Sequence, residues 1–103
     1  MLHTYADIPT HTIIHTMEML DGRIITSVGT RKRGQGNASR LLKTVTDEAD
    51  SEGVVLYLSV EPDGTGLDED QLRSWYGRNG FENMDSELTE TGMIRLPRVD
   101  ITE

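Results

Sequence analysis

Between Thr30 and Ala38 the chain reads Arg31-Lys32-Arg33-Gly34-Gln35-Gly36-Asn37, three successive cations followed by two glycines one residue apart. Glycine removes side chains where a backbone must approach a ligand closely. The residues that follow open a helix, and the first amides of a helix have no partner within it and lie at the positive end of its dipole. Cations, bare amides and a helix start together form a cradle for a diphosphate-sized anion. The pattern is R-x-x-G-x-G, a spacing also found in purely structural tight turns. It is not a Walker loop, since no G-K-[ST] follows, and Gly34, Gly36 and Ser39 do not have the spacing of a dinucleotide fingerprint.

The elements around this loop follow from periodicity. His11 to Leu20 reads as a strand, Asp21-Gly22 as a two-residue type I′ turn, and Arg23 to Thr30 as the returning strand. That turn sets Leu20 against Arg23, Met19 against Ile24, Met17 against Thr26 and His15 against Val28. Both faces of the hairpin are partly apolar, which predicts cover on each side. Ala38, Leu41, Leu42, Val45 and Ala49 form one helical stripe ended by Gly53. Val54 to Val60 is a strand. Asp68 to Arg78 is a second helix, with Leu72, Trp75 and Tyr76 on one face, acids in its first turn and Asn79-Gly80 as its stop. Phe81–Met84 and Met93–Arg98 read as two short strands joined by the acidic loop Asp85 to Gly92. The predicted order is β-β-α-β-α-β-β, an α+β domain.

At 103 residues the chain makes one domain, residues 1–103, with a thin core. It has no cysteine, which excludes disulfides, thiolate metal sites and a Cys nucleophile and suits a reducing cytoplasm. No signal peptide or membrane-length apolar run is visible. The net charge of -8 is segregated. Residues 22–46 hold six cations and no acid, whereas the remainder is strongly acidic. One local segment is built to meet an anion, and the acidic flanks with no interleaved aromatics argue against nucleic acid as a partner.

Ser27 to Leu42, running through Arg31, Gly34 and Gly36, resembles the acetyl-CoA signature of the GNAT superfamily of N-acetyltransferases. Leu56 to Pro62 resembles that family's next strand. Leu72-Arg73-Ser74-Trp75-Tyr76-Gly77-Arg78-Asn79-Gly80-Phe81 resembles its second motif, a Tyr followed by a Gly-Phe pair. The resemblance spans Arg23 to Phe81 and implies a mixed, mostly antiparallel GNAT-like sheet flanked by two helices.

It also implies roles. Acetyl-CoA would be the co-substrate, with no metal. Backbone amides of Arg33, Gly34, Gln35 and Gly36, with Asn37, Ala38 and Ser39 at the helix start, would hold the CoA diphosphate, and Arg31 would add charge. Val28 and Thr30 would pair with the pantetheine arm. Tyr76 would protonate the leaving thiolate, a role its ordinary pKa permits; its position beside Leu72 equally suits a core aromatic. Glu61, Glu18 and His15 are the candidates for the base that deprotonates the amine, Glu61 being the one at the end of the third strand, and a water chain could replace them all. His3, His11 and His15 do not make a metal set. With no Cys, transfer would be direct, in a ternary complex.

Family members usually carry a strand and two helices before the hairpin, and here only Met1 to Thr10 precede it. The chain resembles the minimal type found in phages and mobile elements, which includes an anti-CRISPR acetyltransferase. An open acceptor side suits a primary amine on a protein, such as lysine, better than an enclosed metabolite. It also predicts an uncovered sheet face that a homodimer would bury. The alternatives are a small-molecule amine acetyltransferase and a non-catalytic CoA-binding or protein-interaction module.

Overall fold

The computed structural model describes residues 2–30, 36–60, 67–84 and 92–98. Along the chain it contains β1 (Leu2–Asp7), β2 (Thr12–Met19), β3 (Gly22–Thr30), α1 (Asn37–Glu52), β4 (Leu56–Ser59), α2 (Glu69–Arg78), β5 (Glu82–Asn83) and β6 (Gly92–Arg95). The strands form one sheet in the order β1-β2-β3-β4-β6-β5. Every pairing is antiparallel except β3 with β4, which α1 joins as a parallel crossover.

The α+β class, the two helices and the order from the hairpin onward agree with the sequence. The N-terminus does not. Leu2–Asp7 is a strand, antiparallel to β2 along its whole length, so the order begins β-β-β. Its apolar residues Leu2, Tyr5 and Ala6 do not alternate cleanly, so the segment carries little strand signal of its own.

The hairpin is displaced by two residues from the expected register. Met19 pairs with Gly22, Glu18 with Arg23 and Met17 with Ile24, which makes Leu20-Asp21 the connection. A type I′ turn needs positive φ at both central residues, and among the described non-glycine residues only His11 has it. Gly22 is therefore needed for space. A Cβ there would lie 2.6 Å from the Val55 carbonyl oxygen and 2.7 Å from the Tyr57 ring. Beyond Thr16↔Ile25 the ladder slips again, so that His15 pairs with Ser27 and not with Val28. Thr26 is the extra residue, a β-bulge whose hydroxyl donates to the His15 carbonyl at 3.2 Å.

Both helices pack on one face of the sheet. Ile14, Ile25, Leu56, Leu58, Val60 and Met93 meet Leu42, Val45 and Ala49 of α1 and Leu72 and Tyr76 of α2, with Phe81 closing the end. Among the described residues no helix covers the opposite face, where Ile13, Met17 and Met19 are each more than two-fifths exposed. The expectation of cover on both sides of the hairpin is thus corrected. β2 and β3 are interior strands by pairing but are covered from one side only.

Two arginines are buried on the covered face. Arg23 reaches Glu18 on β2 and, at 2.9 Å, Glu52 at the end of α1. Burial opposes its charge, but the hydrogen bonds to these carboxylates outweigh it and its pKa is raised. Arg95 donates to both carboxylate oxygens of Asp50 at 2.7 and 3.0 Å and to the Asn79 carbonyl at 3.0 Å, fastening β6 to both helices. The helix ends follow local rules. Gly53 closes α1 in the left-handed region at φ 68, and Asp68 with Gln71 forms a capping box at the start of α2.

Candidate active site

The site begins where the parallel ladder stops. β3 and β4 pair at Arg23↔Leu56, Ile24↔Tyr57 and Ile25↔Leu58, and among the described residues no pair follows. β3 continues to Thr30, while β4 turns its other side to β6, with Ser59 opposite Gly92. The bulge at Thr26 lies at the point of separation. A bulge bends its strand and sharpens the local twist, so β3 leaves β4 and a wedge opens between residues 26–30 and the end of β4.

The bulge also changes which residues share a face. Before it Arg23 and Ile25 face the helices; after it Val28 and Thr30 do, opposite Ile14 and Thr12. The hydroxyls of Thr30 and Thr12 lie 2.9 Å apart, which confirms the shared side. The two strand residues singled out from the sequence, Val28 and Thr30, therefore lie on the diverging part of β3. The signal for the bulge was present as broken alternation through Ile24, Ile25 and Val28.

α1 starts beside this wedge. Gly36 has φ 72, a left-handed conformation, and no side chain caps the helix. No acid occupies the first turn. Asn37 is buried, and its side-chain oxygen accepts a hydrogen bond from the exposed Arg40. Ser39 accepts a hydrogen bond from the Trp75 indole at 2.7 Å, which ties the first turn of α1 to α2. Gly36, Asn37, Ala38 and Ser39 are thus brought together at one helix end. Arg31, Arg33, Gly34, Gln35 and Glu61 lie outside the described residues.

Tyr76 is only 8% exposed. Its ring lies 4.8 Å from that of Trp75 and meets Phe81 edge-on at 5.6 Å, and its carbonyl accepts from the Asn79 and Phe81 amides. The Tyr and the Gly-Phe pair of the second motif thus form one packed turn. Along the outer side of α2, Leu67, Asp70, Gln71, Ser74, Trp75 and Arg78 line an open groove of about 370 Å³. Trp75 belongs both to this groove and to the start of α1.

The other base candidates have structural partners. Glu18 is held by Arg23, and His15 Nδ1 lies 3.1 Å from the Thr4 hydroxyl on the exposed face. Among the described residues no three of His, Asp or Glu are grouped to hold a metal ion, and no helix is long and apolar enough to cross a membrane.

No protein-family model matches the sequence, and no curated protein matches it in sequence. Solved structures do match the fold. The anti-CRISPR protein AcrVA5 is similar over 90% of this chain and 96% of its own, with 22% identity and a TM-score of 0.78. The PaiA N-acetyltransferase from Thermoplasma acidophilum, solved in complex with coenzyme A, is similar over 82% of this chain with 15% identity and a TM-score of 0.64. The ribosomal-protein-S18-alanine N-acetyltransferase from Escherichia coli is similar over 89% of this chain with 17% identity and a TM-score of 0.61. The chain spans 52% and 63% of the lengths of these two enzymes. The likeness is one of architecture, a mixed and mostly antiparallel six-stranded sheet with two helices: the chain has the fold of the GNAT N-acetyltransferases.

Proposed function

We propose that the protein is an acetyl-CoA-dependent N-acetyltransferase acting on a primary amine, with a protein lysine as the acceptor class. The observation that carries this reading is the end of the β3–β4 ladder at Ile25 and Leu58, beside the uncapped start of α1. A strand edge without a ladder partner pairs with an extended, amide-bearing chain. An uncapped helix start receives a diphosphate. Pantetheine followed by diphosphate has this order of parts, and a protein of the same fold was solved with coenzyme A bound.

In this reading Val28 and Thr30 offer backbone groups to the pantetheine arm. Arg33, Gly34, Gln35, Gly36, Asn37, Ala38 and Ser39 hold the diphosphate, with Arg31 and Arg33 adding charge. The amine nitrogen attacks the thioester carbonyl, a C–N bond forms and the C–S bond breaks. Glu61 takes the proton that the amine loses, and Tyr76 gives a proton to the departing thiolate. The acidic surface outside residues 22–46 attracts a cationic acceptor, and the chemistry suits a cytoplasmic setting.

The test is calorimetry of acetyl-CoA binding to the whole chain and to Gly36→Asp, followed by mass spectrometry of lysine peptides and small amines. Binding lost in the variant, with acetylated lysine formed by the parent, is the expected result. Failure of the folded chain to bind would overturn it. The burial of Tyr76 favours one second reading, a CoA-binding module without turnover, for which binding without any acetylated product would be the signature.

A further inference from the structure

Four side chains form an unbroken line from the β1–β2 turn to the end of β3. The Thr10 hydroxyl lies 2.5 Å from Asp7 Oδ2, the Thr12 hydroxyl 2.9 Å from that of Thr10, and the Thr30 hydroxyl 2.9 Å from that of Thr12. Thr12, in the middle, is fully buried. Thr12 and Thr30 are paired neighbours on β2 and β3, and Thr30 is the last residue of its strand. Closing the turn needs only the bond between Thr10 and Asp7. The line continues past it to the strand end beside the start of α1.

The direction of every bond in the line follows from its first member. A carboxylate only accepts, and a hydroxyl has one proton to give. Thr10 gives its proton to Asp7, whose carbonyl at 3.4 Å is also an acceptor. Thr12 must then donate to Thr10, and Thr30 to Thr12. The Thr30 proton is thus committed to the buried Thr12. Whatever else the Thr30 hydroxyl meets, it meets as an acceptor.

We propose that Asp7 is a positioning residue for the cofactor, acting through Thr10 and Thr12 to hold the Thr30 hydroxyl as an acceptor towards the pantetheine arm. This role presupposes the acetyl-CoA reading above. The two parts of the cofactor that pass the end of β3 differ in hydrogen-bonding character. The pantetheine arm carries amide N–H groups and a hydroxyl, which donate. The diphosphate oxygens only accept. An acceptor at Thr30 pairs with the first and disfavours the second, which leaves the diphosphate to the uncapped start of α1. The line thus fixes where along β3 the diphosphate ends and the arm begins. That point in turn sets where the thioester lies at the far end of the arm.

Calorimetry on the whole chain and its variants tests it, with acetyl-CoA and with ADP, which has the diphosphate but no arm. Asp7→Asn keeps the side-chain shape, but its amide can donate to Thr10 and turn the line round. Thr12→Val keeps the shape and cuts the line. Each should weaken acetyl-CoA binding about fivefold, the effect of one hydrogen bond, and leave ADP binding unchanged. In the double variant Asp7→Asn should add nothing to Thr12→Val, because its influence has no path to Thr30. Thr12→Ser keeps the hydroxyl and should bind as the parent does. Asp7 is half-buried at the end of β1, so Asp7→Asn alone decides the matter should Thr12→Val fail to fold. Equal losses for ADP, additive losses in the double variant, or no loss from Asp7→Asn would overturn the proposal and leave acetyl-CoA binding in place. No binding of acetyl-CoA by the folded parent would overturn the proposed function and this role together.

Discussion

The Trp75 indole nitrogen lies 2.7 Å from the Ser39 hydroxyl, and the direction of that hydrogen bond is forced. An indole N–H only donates, so Ser39 accepts and keeps its own proton for another acceptor. At the first turn of α1, under the proposed function, that acceptor is the diphosphate. Trp75→Phe removes the donor and keeps an aromatic ring. Loss of one hydrogen bond is worth about 1 kcal/mol, so acetyl-CoA affinity should fall about fivefold. Ser39→Ala should do the same, and the double variant should be little worse than either. Calorimetry on the four proteins checks this. Trp75 is the sole tryptophan, so its fluorescence should also respond to acetyl-CoA in the parent.

Tyr76→Phe separates the two roles of that residue. The ring contacts with Trp75 and Phe81 remain when the hydroxyl is removed. If the hydroxyl protonates the leaving thiolate, kcat should drop about 100-fold, while acetyl-CoA binding stays within about twofold. Steady-state rates beside calorimetry make the comparison. An unchanged kcat would leave Tyr76 as a core aromatic alone.

Asp50 is held below the ordinary carboxylate range, first by the hydrogen bond from Arg95 and further by the Arg98 amide. A carboxyl lowered in the folded state adds stability above its unfolded value, about 3.9. That contribution is lost as pH falls through the lowered value. Asp50→Asn leaves Arg95 buried without its counter-charge, which costs about 3 kcal/mol at neutral pH. Urea unfolding at pH 7 should show that loss, and between pH 5 and 3 the variant should lose stability less steeply than the parent, by roughly the contribution of this one carboxyl.

Thr16 is fully buried on β2, and its hydroxyl has no hydrogen-bond partner among the described residues. An unsatisfied buried hydroxyl is a cost that an isosteric apolar group removes. Thr16→Val should stabilise the chain by about 1 kcal/mol, raising Tm by about 5 °C. Thermal unfolding followed by circular dichroism reads it directly.

Much of this molecule could be read from residue order. The α1 stripe, the Gly53 stop, the Asp68 start and the Tyr76–Phe81 turn are local patterns, and local patterns are legible. What was missed depends on partners distant in the chain. Leu2–Asp7 becomes a strand because β2 offers it an edge, not because its own sequence insists. Asp21-Gly22 has the composition of a tight turn, but Tyr57 and the Val55 carbonyl need the space that Gly22 leaves, and the turn moves back to Leu20-Asp21. Arg23 counts among the six cations of the segment expected to meet an anion, yet it is buried against Glu18 and Glu52, and Arg95 is buried against Asp50, carboxylates that only the fold brings to them from other elements. At the site, the glycine loop and the helix start were visible, whereas the wedge depends on a bulge that only pairing reveals.

That bulge is a single surplus residue. Without Thr26, Ile25 would be followed directly by Ser27, the ladder to β2 would run unbroken with Ser27 and Gly29 still opposite His15 and Ile13, and no bulge would bend the strand away from β4. The cleft is thus encoded by chain length and not by any particular side chain. Substitution at Thr26 is expected to preserve it and deletion to close it.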